Sequence, residues 1–319
     1  MGSATRFLIA LNAGFLALGG TPSRTQAAEA YCIVDSQTGF ILRAQEPTKK
    51  RQVGSLTKIV TASVILDWVE HRNGNLNQMV AIPPEAFAGV AENPIGFQPG
   101  DQVALRDLLY AALVQSDNIA AYTLAYYVGA QMASLLPAEA GSKAGPVDIF
   151  VGQMNALAKQ LKMERSRFVN PHGIDINARP MPFSTAADMA RVARYAMNKA
   201  SFRFYVSQKE RKISFDRAGH RLNFMLRNTN ELLGRDGIDG VKTGQTARAG
   251  ACLILSANRE NEVVQQGQMT TVYRRHLILV LLGSPNRFEE GAQLLSLGWQ
   301  LYDQWAATGR MVDDPGKVL

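Results

Sequence analysis

Three short stretches carry residues whose types and spacing suit nucleophilic catalysis: Ser55-Leu56-Thr57-Lys58, Ser116-Asp117-Asn118 and Lys242-Thr243-Gly244. A serine hydroxyl is a weak nucleophile until a base takes its proton. Residues at i and i+3 share one face of a helix, which sets Lys58 one turn from Ser55. A lysine can be that base only when its pKa falls from about 10.4 toward neutrality, and burial or a second cation lowers it. The segment 56–69 is apolar on every side, the pattern of a central buried helix, and supplies the burial. Lys242 is the expected second cation. Ser55 at the helix start meets exposed N–H groups and the positive end of the macrodipole, which favour developing negative charge. Ser116 and Asn118 fall at a turn between two helical segments. There Ser116 suits a proton relay, Asn118 suits a hydrogen bond to a substrate amide, and Asp117 suits the cap of the next helix. A lysine and a threonine at a strand end suit a carboxylate, and Gly244 permits close approach of a substrate backbone.

The elements that must position these residues follow from periodicity. Short apolar runs at 31–35 and 40–44 flank Ser36-Gln37-Thr38-Gly39 and predict a hairpin. A basic loop spans 45–53, and Asn73-Gly74-Asn75 closes the apolar helix. Leu105, Leu108, Leu109, Ala112 and Leu113 fall at helical spacing. Helices are also predicted over 119–128, 147–161 and from a Thr185/Asp188 capping box to residue 197. Segment 135–146 is rich in Ala, Gly and Pro and reads as a loop insertion. Strands are expected at 237–242, 249–257 and 276–282, with 259–275 as a connection longer than hairpins usually use. A final amphipathic helix covers 288–305, and 306–319 is polar without a pattern. The layout is α+β: one antiparallel sheet built from both chain ends, flanked by helices, with an inserted, mainly helical subdomain.

Composition narrows the function classes. The chain has 319 residues, 46% hydrophobic and 19% charged, which excludes a disordered, collagenous or coiled-coil protein. Its net charge of +7 favours polyanionic surroundings such as cell-wall polymers. The excess is spread along the chain, with one block at Lys49-Lys50-Arg51, so nucleic acid is not an expected partner. Cys32 and Cys252 are too few for a disulfide scaffold or a thiolate zinc site and read as two buried free thiols. His71, His172, His220 and His276 lack metal-ligand spacing, so neither metal nor cofactor is expected. Residues 1–27 read as a signal peptide: Arg6, an apolar run at 7–18, then small residues with cleavage candidates at 25–27 and 28–30. The run is shorter than the roughly 20 residues a spanning helix needs. The expected protein is therefore exported to the periplasm or cell envelope, with a catalytic domain at 28–305, a polar tail at 306–319 and no stable membrane anchor.

S-x-x-K and K-T-G each occur once, whereas S-x-N occurs three times, at Ser116, Ser256 and Ser284; the last two read as turn formers. In this order the three motifs resemble those of serine β-lactamases and penicillin-binding proteins. From about residue 31 to 305 the chain is similar to the low-molecular-mass penicillin-binding proteins, and more narrowly to the serine-type D-alanyl-D-alanine carboxypeptidases. The hairpin, Pro99-Gly100, the run FVNPHGID at 168–175, Gly240-Val241 and Asn286-Arg287-Phe288 extend the likeness. The resemblance implies Ser55 as nucleophile and Lys58 as base or proton shuttle. It also implies an oxyanion hole from the backbone N–H groups of Ser55 and Gln245, and Arg287 on the terminal carboxylate. Its substrates would be peptidoglycan stem peptides, cut through an acyl-enzyme on Ser55, and β-lactam antibiotics would acylate the same serine. Departures are S-D-N where carboxypeptidases often have S-G-N, the apparent insertions at 135–146 and 259–275, and no room for a β-rich C-terminal domain. The rival readings are a D-Ala-endopeptidase that cuts cross-links, a serine β-lactamase and a penicillin-binding sensor without turnover. The β-lactamase E-x-x-L-N signature is absent, because Glu164 has the wrong spacing to Asn170.

Overall fold

The computed structural model describes residues 27–135 and 144–319. The expected leader, apart from Ala27, and most of the 135–146 insertion lie outside the described residues; Pro146 itself opens a helix.

β1 (Ala30–Asp35) and β2 (Ile41–Gln45) form the expected hairpin. The Asp35 carboxylate closes its turn by accepting from the Thr38 backbone N–H and from its hydroxyl, each at 2.7 Å. β7 (Ile238–Thr246), β8 (Gly250–Gln266) and β9 (Met269–Ser284) join this hairpin in an antiparallel sheet of order β2-β1-β9-β8-β7. Both chain ends thus build one sheet. Successive strand residues point to opposite faces. Cys32, Val34, Ile254, Ile278 and Val280 face the main core. Ile33, Leu253, Leu255, Leu277 and Leu279 pack with Leu295, Trp299 and Tyr302 of the last helix, Arg287–Ala307. Burial on both faces explains why these strands read as unbroken apolar runs.

α1 (Thr57–Arg72) is buried at every position from Thr57 to Leu66. It packs against α2 (Leu105–Leu113), α3 (Asn118–Ala133), α4 (Pro146–Gln160), α5 (Ala186–Asn198) and α6 (Ala200–Val206). Neighbours on all sides are the reason its sequence lacks a polar face. Asn73, left-handed at φ 51°, ends it. Thr185 caps α5 by accepting from the Asp188 N–H at 3.1 Å. The Asp188 carboxylate turns away, to Arg165 N–H and the Ser166 hydroxyl, so the expected capping box is one-sided.

Four features depart from the expectations. The middle of the chain is not only helical: β3 (Met79–Ala81), β4 (Gln102–Ala104), β5 (Glu210–Arg217) and β6 (His220–Arg227) form a second sheet in that order. Ile213 and Phe215, then Leu222, Phe224 and Leu226, alternate about an Ala218-Gly219 turn, a hairpin pattern diluted by charge. Segment 259–275 is not a connection. β8 and β9 continue through it as a paired arm that reaches Gln266 and Met269, with a bulge between Arg259 and Glu262. Solvent on both faces of the arm removes the apolar run that would have marked it. Lys242-Thr243-Gly244 lies inside β7 rather than at its end. Residues 308–319 fold back: Arg310 pairs with Glu262 of the arm and stacks on Tyr273 at 4.0 Å, and Val318 bridges to Phe40. These contacts are remote in sequence and leave no local pattern.

Cys32 and Cys252 are buried and unpaired, and burial pushes their thiols up to about 12 and about 11.

Candidate active site

Ser55 sits in a 3-10 turn, Gly54–Leu56, that feeds α1, not in the first turn of α1 itself. The i, i+3 relation still holds: Lys58 Nζ lies 2.9 Å from Ser55 Oγ. Nζ also donates to Asn118 Oδ1 at 2.7 Å and to the His172 carbonyl at 3.0 Å. Lys58 is fully buried, and burial lowers its pKa to about 7 while the Asp117 carboxylate pulls it upward. A neutral lysine has two N–H groups and one lone pair. Two of its three partners are pure acceptors and take the N–H groups, so the lone pair is left for Ser55, the one partner with a proton to give.

Lys242 is buried too, and its pKa falls well below the ordinary value through burial and then the charges of Lys58 and Arg287. Of the two expected causes, burial is the one that lowers Lys58, and the charge effect between the two lysines bears on Lys242. Asp117 caps α3 as expected, its Oδ1 accepting from the Ala120 N–H at 2.7 Å, and burial raises its carboxyl to about 6. Ser116 is left-handed at φ 66° and faces the cleft, but the hydrogen-bond partners of the Lys58 amine are Ser55, Asn118 and His172 and not Ser116.

β7 is the open edge of its sheet and lies against the Ser55 turn. A Cβ on Gly244 would come within 2.7 Å of the Val53 carbonyl, so only glycine lets the strand approach. A Cβ on Gly54 would sit 3.1 Å from the Gln245 backbone nitrogen, which puts that amide beside Ser55. Arg287, opening α7 (Arg287–Ala307), donates to the Gly244 carbonyl at 3.1 Å and to Gln245 Oε1 at 3.3 Å. The Thr243 and Thr229 hydroxyls bond each other at 2.6 Å.

A cleft of about 250 Å³ joins Ser55, Ser116, Asn118, Thr243, Gly244, Gln245 and Arg287. Lys58 and Lys242 lie buried beneath it. A larger hollow of about 500 Å³ near the far end of α1, lined by Trp68, His71 and Tyr195, holds none of these residues. The sequence reading missed Glu92, Pro94, Gln115 and Thr229 on the cleft wall and the His172 carbonyl under it. His172 lies in the FVNPHGID run and could have been found there; the others carry no local signature. Its imidazole is held neutral, with burial lowering its pKa to about 3.

Gly173 locks this arrangement. It is left-handed at φ 88°, and a Cβ there would lie 2.0 Å from the Gly54 carbonyl and 2.8 Å from Thr57 Oγ1. Gly173→Ala is expected to destabilise the protein by about 2–5 kcal/mol, the sum of backbone strain and overpacking. Thermal melting checks this, and an unchanged melting temperature would contradict it.

The chain matches the Peptidase S11 family model, described as D-alanyl-D-alanine carboxypeptidase, over residues 19–270. It is 32% identical over 314 residues to D-alanyl-D-alanine carboxypeptidase DacC of Escherichia coli, which covers 95% of this chain and 68% of that one. A D-alanyl-D-alanine endopeptidase of Pseudomonas aeruginosa is 28% identical over 303 residues, covering 93% and 83%. Among solved structures, the Streptomyces K15 DD-transpeptidase superposes with a TM-score of 0.71 at 27% identity, covering 86% of this chain and 97% of that one. Fold, motif order and sequence match agree, and the chain belongs to the S11 peptidase family, the serine-type D-alanyl-D-alanine carboxypeptidases.

Proposed function

We propose that this DD-peptidase removes the terminal D-alanine from peptidoglycan stem peptides through an acyl-enzyme on Ser55. The observation that carries the reading is the buried Lys58 amine, 2.9 Å from Ser55 Oγ with its pKa lowered to about 7. Arg287 and Thr243 receive the terminal carboxylate, and Asn118 receives the peptide amide. The carbonyl of the penultimate residue lies between the Ser55 and Gln245 backbone N–H groups, each such donor being worth about 3–4 kcal/mol as negative charge develops. Ser55 Oγ attacks that carbonyl carbon while its proton passes to Lys58. The tetrahedral intermediate collapses, the C–N bond breaks, and the departing D-alanine amine takes a proton from Lys58 by way of the Ser116 hydroxyl. Water then attacks the ester with Lys58 again as base, freeing the shortened stem and restoring Ser55. A β-lactam acylates the same oxygen, but its leaving nitrogen stays tethered.

This function belongs outside the cytoplasmic membrane, and the apolar run at 7–18 followed by small residues supports export. Among the described residues no helix is long and apolar enough to cross a membrane. The endopeptidase relative keeps a second reading in play, in which the bond cut is the D-Ala cross-link between stems. Digestion of a pentapeptide muropeptide and of a cross-linked dimer, followed by mass spectrometry, decides between them. Loss of one D-alanine from the pentapeptide is expected. Monomer release from the dimer with the pentapeptide intact would replace the carboxypeptidase reading with the endopeptidase one.

A further inference from the structure

The charges around the cleft are unevenly placed. Lys58 and Lys242 lie below it and Arg287 stands on the β7 wall with Thr243, Gly244 and Gln245. The other wall is built from Gln115, Ser116, Asn118, Pro94 and one exposed acid, Glu92. The second acid in the cleft, Asp117, is buried and committed to the α3 cap. Glu92 enters no ion pair among the described residues.

The turn that follows Glu92 is fixed by its neighbours. Asn93 Oδ1 accepts from the backbone N–H groups of Gly96 at 3.1 Å and Phe97 at 3.0 Å, and its Nδ2 donates to the Phe97 carbonyl at 2.8 Å. Ile95 and Phe97 are buried, Phe97 meets Phe215 edge-on at 5.1 Å, and Arg217 donates to the Gly96 carbonyl at 2.6 Å. The turn next to Glu92 is thus tied to the second sheet, and Glu92 lines the cleft beside it.

We propose that Glu92 is a specificity-determining residue: it selects stem peptides in which the residue before the D-alanine pair carries a free side-chain amine. The inference rests on the DD-peptidase reading of the cleft. With the terminal carboxylate on the Arg287 wall and the scissile carbonyl at Ser55, the chain runs on past the serine. The next residue upstream has its Cα about 3.8 Å from that of the acylating residue. A long side chain from there extends beyond the floor toward the rim, where a primary ammonium finds the one unpaired carboxylate. A neutral or acylated side chain finds no partner.

The test uses the full chain and two synthetic pentapeptides that differ only at the third residue, L-lysine in one and Nε-acetyl-L-lysine in the other. D-alanine release at low ionic strength is expected to favour the free amine by about threefold to fivefold in kcat/KM, the scale of a solvent-facing ion pair. The preference should shrink toward unity in 1 M salt, where the screening length is about 3 Å. Glu92→Gln should equalise the two peptides, and Glu92→Lys should make the acetylated one the better substrate. Labelling by a fluorescent penicillin, which presents no such amine, verifies that each variant is folded, and the salt series on the wild-type protein needs no variant. Equal kcat/KM for the two peptides in the wild type, or a preference undiminished in Glu92→Gln, would overturn the role of Glu92 and leave the DD-peptidase reading standing. Release of D-alanine from neither peptide would overturn the carboxypeptidase reading and the role of Glu92 with it.

Discussion

Ser55→Ala is expected to abolish covalent labelling by a fluorescent penicillin and to lower D-alanine release by about 10⁶-fold, the loss seen when the nucleophile is removed from another serine hydrolase. No other hydroxyl in the cleft can replace it. The Lys58 amine meets the Ser55 oxygen at 2.9 Å, and its two remaining bonds go to Asn118 and His172. Ser116 faces the same cleft but receives none of them. Stability should hardly change, because Ser55 is only partly buried and the substitution removes one hydrogen bond. Gel fluorescence, a D-alanine assay and a melting curve on the same preparation make the check. Labelling at the wild-type level in a normally folded variant would move the nucleophile elsewhere.

Lys58 gives the second large effect, and it shows in pH. A base with its pKa lowered to about 7 accepts a proton only when neutral. Penicillin acylation should therefore rise through pH 7 and level off above it, with its midpoint near 7. Lys58→Met should lose the proton acceptor and with it about 10²–10⁴ in acylation rate. Stability follows the same group with a definite sign. The unfolded lysine keeps its proton up to 10.5, whereas the folded one releases it near 7, so the unfolded chain binds more protons between those values. The destabilisation from burying Lys58 is complete below pH 7 and is relieved as the pH climbs toward 10.5. Wild-type melting temperature should accordingly gain more between pH 6.5 and pH 9 (ordinary buffer conditions, about 2.5 units apart) than that of Lys58→Met. Stopped-flow acylation and calorimetry across that range are the measurements. A flat acylation profile would remove Lys58 from the proton's path.

Much of this site was legible because its residues are fixed by local geometry. Ser55 and Lys58 meet through one helical turn, and the apolar surroundings of 56–69 already required a buried amine. The five-stranded sheet was legible for a similar reason: strands buried on both faces leave unbroken apolar runs. The features that escaped notice depend on distant neighbours or on solvent. The β8–β9 arm has water on both sides, so Val263, Met269 and Val272 stay exposed and no run marks it. The β5–β6 hairpin alternates correctly, but Arg211, Lys212, Arg217 and Arg221 obscure its apolar partners. Glu92 and Thr229 join the cleft only through tertiary packing.

The encirclement of α1 carries one further implication. A nucleophile mounted on a surface loop can be disturbed while the rest of a protein stays sound. Here the serine turn is the tip of a rod gripped by five other helices, and the strand that completes the cleft is braced by the whole main sheet. Damage to any of those supports travels to the tip. Uptake of an antibiotic by this protein would thus gauge its structural integrity as sensitively as it gauges chemistry.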